Sequence, residues 1–87
     1  MALIEFYGTE CSHCVKMAPL VERLKKEGFA VEQLECWHND ANEAKRQEYD
    51  KEFCGGVPFF FDTSSGHWIC GETDYDSLKK WAQGKKV

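Results

Sequence analysis

A largely apolar run, Ala2-Leu3-Ile4-Glu5-Phe6-Tyr7, leads through Gly8-Thr9-Glu10 into Cys11-Ser12-His13-Cys14, and an amphipathic stretch follows at once. The run is rich in branched and aromatic residues and reads as a buried strand. Met17, Leu20, Val21 and Leu24 then recur at i, i+3, i+4 and i+7, the spacing of one apolar helix face. The two cysteines therefore stand where a strand ends and a helix begins. Unpaired N–H groups and the positive end of the helix dipole favour a thiolate there. A thiolate attacks disulfides, which makes Cys11 the expected nucleophile, being nearer the helix start and more exposed. Cys14, one turn on, is placed to resolve the mixed disulfide.

The first helix is expected from about Ser12 to Glu27, with Gly28 as its C-terminal cap and Pro19 kinking it from inside. Residues 29–37 alternate enough to form a second strand. Asp40 and Glu43 resemble a capping box opening a polar surface helix over 40–53, with Ala41, Ala44, Tyr49 and Phe53 on its apolar side and Gly55-Gly56 ending it. Phe59-Phe60-Phe61 reads as a buried strand, residues 63–66 as a turn, and His67 to Cys70 as the returning strand of a hairpin. A last helix, Asp74 to Gln83, presents Tyr75, Leu78 and Ala82 with Trp81 beside them, and Gly84 closes it. The order β-α-β-α-β-β-α predicts an α/β fold, a mixed four-stranded sheet flanked by helices on both faces.

Eighty-seven residues make one domain, 1–87, with room for a single core. A formal net charge of −4 gives no electrostatic case for nucleic acid or an anionic membrane. No apolar run approaches the length that crosses a bilayer. The start of the chain has no charged n-region, h-region or cleavage site, so the expected location is cytoplasmic unless a leader was removed. The five cysteines, at 11, 14, 36, 54 and 70, are an odd number and do not suit a closed disulfide framework. They read as one redox pair plus three free thiols, with Cys36 and Cys70 as small buried hydrophobes on strands. Cys54, beside a glycine pair near the proposed site, is a candidate regulatory thiol.

The spacing of these features resembles the thioredoxin family over nearly the whole chain. Leu3-Ile4-Glu5-Phe6-Tyr7 before Cys11-Ser12-His13-Cys14 is similar to that family's strand and active site. Pro19 falls on its helix-kinking proline, Gly56-Val57-Pro58 on its cis-proline segment, and Gly71 on the glycine after its last strand. The resemblance implies a protein-disulfide oxidoreductase without a cofactor or metal, a monomer acting on a disulfide-containing protein substrate. A reductase or glutathione would be its electron donor. It implies Cys11 and Cys14 as catalytic residues, and Val57, Pro58 and Gly71 as the holders of a substrate strand. It also implies Glu5 as a buried acid relaying protons to Cys14, against the alternative of a glutamate at a solvent-reachable sheet edge. Gln33 stands where many thioredoxins place a lysine, and Tyr7 keeps an aromatic under the site.

Two departures concern the thiolate. His13 replaces the family's proline, and an imidazolium there stabilises the Cys11 thiolate and makes the disulfide more oxidising. Glu10 replaces the family's tryptophan and puts an opposing charge beside Cys11. Glutaredoxins share the fold, but the loop before Cys11 is acidic where they carry a cation, and Cys70-Gly71-Glu72-Thr73-Asp74 keeps only part of their glutathione-binding run. A zinc module using Cys11, Cys14, His13, His38 or His67 lacks the second close pair that a closed site needs. A non-catalytic interaction domain on the same fold is the remaining alternative.

Overall fold

A computed structural model describes residues 2–86, arranged as β1 (Leu3–Tyr7), α1 (Ser12–Lys26), β2 (Val31–Glu35), α2 (Asp40–Asp50), β3 (Phe59–Asp62), β4 (Trp68–Cys70) and α3 (Tyr75–Ala82). The sheet order is β2-β1-β3-β4. β1 runs parallel to β2, pairing Leu3 with Val31 and Tyr7 with Glu35, and antiparallel to β3. β3 and β4 form the expected antiparallel hairpin, with Phe59 opposite Cys70. The fold is thus α/β with a mixed four-stranded sheet and three helices.

Because side chains alternate along a strand, the sheet presents two apolar faces. Leu3, Phe60 and Ile69 face Met17, Val21 and Leu24 of α1 and Leu78, Trp81 and Ala82 of α3. Ile4, Phe6 and Phe59 form the other face with Cys36, against which Tyr49 of α2 packs. Burying each of these large side chains contributes about 1.5–3 kcal/mol, so the central strands are the best-secured part of the molecule.

α2 departs from its expected form. Its cap is Asn39, whose side chain accepts the Asn42 N–H at 3.0 Å, with Asp40 and Glu43 inside the first turn. It stops at Asp50 because Lys51 turns into the left-handed region (φ 48°), well before Gly55. Ala41 and Ala44 are exposed, while Arg46 and Asp50 are buried. Besides Tyr49, which is half-buried, the side chains of α2 that go inside are a charged pair, joined from Arg46 Nη1 to Asp50 Oδ2 at 2.6 Å. Phe53, assigned from the sequence to the apolar side of this helix, lies beyond it and stacks on Trp68 at 4.9 Å.

Candidate active site

The loop after β1 delivers Cys11 as the N-cap of α1, with Cys14 in the first turn. Their Cα atoms are 5.2 Å apart and their sulfurs are bonded. Cys11 Sγ accepts the Cys14 N–H at 3.1 Å, one of the N–H groups a helix start leaves without a backbone partner. The same sulfur lies 3.9 Å from the Val57 carbonyl oxygen. Both cysteines are only 4% exposed, so exposure does not rank Cys11 above Cys14 as the sequence suggested. What sets Cys11 apart is its place at the cap, against the Val57 backbone.

The Val57–Pro58 peptide is cis. Pro58 is buried, and its carbonyl accepts the Gly71 N–H at 2.9 Å, which joins the segment before β3 to the residue after β4. Gly71 has φ 83°, a conformation that side-chain-bearing residues rarely adopt, and a Cβ there would meet open space. The fold therefore brings Cys11, Cys14, Val57, Pro58 and Gly71 to one place.

Glu5 lies on β1, an interior strand, which removes the sheet-edge alternative. It is 2% exposed, and with Tyr7, Cys14, Val15 and Gln33 it lines a cleft of about 260 Å³. Burial pushes its carboxyl above the ordinary value, against the opposing pull of the Gln33 amide, which donates to Oε1 at 2.9 Å, and of Lys25. Lys25 in turn hydrogen-bonds Gln33 Oε1.

The charges around Cys11 pair differently from the sequence reading. Glu10 does not oppose His13; its carboxylate meets His38 Nε2 at 2.8 Å and raises that imidazole's pKa through the hydrogen bond and the charge. His13 is exposed, and its Nδ1 lies 2.7 Å from Glu72 Oε1, next to Gly71. The Glu72 carboxyl is lowered chiefly by that hydrogen bond, and Lys16 lies 3.8 Å from it.

Three further features escape a reading of the sequence alone. Glu35, at the end of β2, accepts from the Thr9 N–H, Thr9 hydroxyl, Trp37 N–H and His38 N–H. Desolvation works upward on its carboxyl, but these donors together outweigh it and hold it below the usual range. Glu35 thereby fastens the loop before Cys11 to the turn after β2; its position opposite Tyr7 in the parallel register is the signal that would have found it. Trp37, 51% exposed, lies over Gly8, where a Cβ would fall 2.3 Å from its ring. Gly8 O accepts the Cys11 N–H at 3.1 Å, so the indole sits on the turn that places the cysteine.

Third, Cys54 and Cys70 are bonded to each other, with Cα atoms 5.3 Å apart. This corrects the expectation of three free thiols. Cys70 is exposed at the end of the edge strand β4, where the interior position assumed for it does not exist. Among the described residues Cys36 is the free cysteine; it is buried, and burial pushes its thiol up to about 11, in keeping with a small hydrophobe. Among the described residues no three His, Cys, Asp or Glu side chains converge to hold a metal ion, and no helix is long and apolar enough to cross a membrane.

No protein-family model matches the sequence, and no curated protein is significantly similar to it.

Proposed function

We propose that the chain is a thioredoxin-like thiol–disulfide oxidoreductase acting on protein disulfides through Cys11 and Cys14. The observation that carries this reading is the bonded pair at the start of α1, with Cys11 Sγ accepting the Cys14 N–H and facing Val57 O. In the reduced protein the Cys11 thiolate attacks one sulfur of a substrate disulfide and expels the other as a thiolate. Cys14, as a thiolate, then attacks Cys11 Sγ, closes the Cys11–Cys14 bond and releases the second substrate thiolate. Two electrons pass to the substrate, and a reductase or glutathione restores the dithiol.

Each neighbour has a part in that sequence. The helix start stabilises the Cys11 thiolate, and the His13 ring beside it is held by Glu72. Glu5, held protonated to higher pH than usual, gives and takes the Cys14 proton across the cleft they share. Val57 borders Cys11 with backbone and Gly71 is joined to that segment through Pro58 O, an edge to which an extended substrate segment hydrogen-bonds, and Tyr7 lines a cleft with Cys14. The sheet order and the parallel first βαβ unit suit a thioredoxin-like topology. The protein acts as a monomer in the cytoplasm on this reading. A glutathione-dependent reductase is less well served, since the loop before Cys11 is acidic and Cys70-Gly71-Glu72-Thr73-Asp74 keeps only part of a glutathione-binding run.

The test is trapping. Cys14→Ser leaves attack intact and removes resolution, so it should accumulate a mixed disulfide with insulin, whose chains are disulfide-bonded, or with a small aromatic disulfide, visible by mass. Cys11→Ser should form none and lose reductase activity. At neutral pH the Cys14→Ser protein should also react faster with iodoacetamide than Cys11→Ser. The reverse order would assign the nucleophile to Cys14, and failure of both to react reversibly would end the redox reading.

A further inference from the structure

The Cys54–Cys70 bond joins the two stretches of chain that carry the same substrate-bordering backbone. Cys54 begins the segment that runs through Val57 to Pro58, and Cys70 immediately precedes Gly71, whose N–H is held by Pro58 O. The bond therefore closes a ring of chain around the backbone that faces Cys11. We propose that Cys54–Cys70 is a second thiol–disulfide site, opened and closed by small thiols such as glutathione, whose closed form holds the Val57 segment in place. This rests on the reading of Cys11 and Cys14 as the reactive pair only for its functional consequence; the second site's own chemistry does not depend on it.

Three observations carry the proposal. Access is the first: Cys70 is exposed and Cys54 half-buried, while Cys11, Cys14 and Cys36 are all buried. Of the sulfurs in this chain, that of Cys70 belongs to the one exposed cysteine. The second is the conformation of the chain that leads into Cys54. Lys51 and Glu52 both have left-handed backbones (φ 48° and 70°), which cost residues with side chains roughly 1–2 kcal/mol each and persist only where the surroundings impose them. The third is what remains when the bond opens. Asp50, buried, still accepts the Cys54 N–H at 2.6 Å and the Gly55 N–H at 2.7 Å, so the start of the loop stays anchored. Beyond it the exposed Phe53–Trp68 stack, the Gly71–Pro58 hydrogen bond and the Phe59–Cys70 pairing tie the segment to β4, while Cys54 and Val57 pack against the core from one side. Opening thus loosens the loop without unfolding the core.

The exchange balances as two steps. A small-molecule thiolate attacks the Cys70 sulfur, forming a mixed disulfide and releasing Cys54 as a thiolate. A second attacks the small-molecule sulfur of that mixed disulfide, releasing the Cys70 thiolate and a small-molecule disulfide. The protein gains two electrons and, on protonation, two protons; the two small thiols lose them. Closure is the reverse.

Trypsin has no cleavage site between residues 52 and 79, so both cysteines fall in one peptide, separate from the peptide of residues 1–16 that holds Cys11 and Cys14. The full chain is equilibrated with graded mixtures of reduced and oxidised glutathione, quenched in acid, alkylated and digested, and the mass of each peptide reads its own pair. The same series on Cys11→Ser/Cys14→Ser shows the second pair with the first removed. We expect the 52–79 peptide to pass from oxidised to reduced within the glutathione series in both proteins. The Gly71 amide should exchange its hydrogen about tenfold faster in the open form, while amides of β1 stay protected. A 52–79 pair that remains oxidised throughout while the protein is folded would make the bond a permanent staple and overturn the proposal. So would opening that leaves Gly71 exchange unchanged. A failed trap in Cys14→Ser would instead remove the function proposed for Cys11 and leave these readouts standing.

Discussion

Two ionisable side chains near Cys11 carry their own signatures. Glu5 is buried and keeps its proton above the ordinary carboxyl range, so the folded state holds a proton that the unfolded chain has already lost. Stability then falls as pH rises through the unfolded value and on through the raised one. Glu5→Gln removes that fall, which urea unfolding between about pH 4 and about pH 8 would measure. The same substitution should slow resolution of the mixed disulfide by about 10²-fold while leaving alkylation of Cys11 unchanged, as expected of a residue that moves the Cys14 proton. His38 behaves oppositely. Its pKa is raised by Glu10, so the pair helps the fold below the ordinary imidazole value of about 6.5 and fades as pH climbs through the raised one. Glu10→Gln should move the His38 titration, followed by NMR, downward. Both side chains are well exposed, so the change in overall stability is small.

At the level of elements, α2 is where charge takes the place of apolar packing. Arg46→Ala strands Asp50 as a buried carboxylate and should cost about 3 kcal/mol in urea unfolding, with faster exchange at the Cys54 and Gly55 amides that Asp50 holds. That arrangement also explains what the sequence could convey. β1, α1, β3 and α3 were readable because Leu3, Phe6, Met17, Val21, Phe60 and Leu78 repeat at strand or helix spacing and are indeed buried. Periodicity weighs hydrophobicity alone, so it turned Ala41 and Ala44 inward and could not see an ion pair filling the space. The Cys11–Cys14 pair was legible from its spacing. Glu35 and Trp37 become relevant only once the β1–β2 register sets them beside Gly8 and Thr9. The Cys54–Cys70 bond depends on the path of residues 51–57, where Lys51 and Glu52, residues that do not announce a left-handed backbone, turn the chain before Gly55 does.

Across the whole molecule, Trp81 joins the layers. It is fully buried, meets Phe60 edge-on at 5.5 Å and donates its Nε1–H to His67 O at 3.1 Å, so one side chain of α3 touches β3 and the turn that opens β4. Trp81→Phe removes the donor and leaves a void; it should cost about 2 kcal/mol, measured as a lower urea midpoint with unchanged slope. The chain's three tryptophans otherwise occupy unlike surroundings: Trp81 in the core, Trp37 on the turn before Cys11, and Trp68 against Phe53 beside the Cys54–Cys70 bond. Native fluorescence is therefore already divided by region. Trp81 should emit at short wavelength whatever the redox state, and the two exposed indoles at longer wavelength. A nearby disulfide quenches an indole, so substituting Trp37 or Trp68 in turn leaves a protein whose emission follows one sulfur pair at a time, with no label attached.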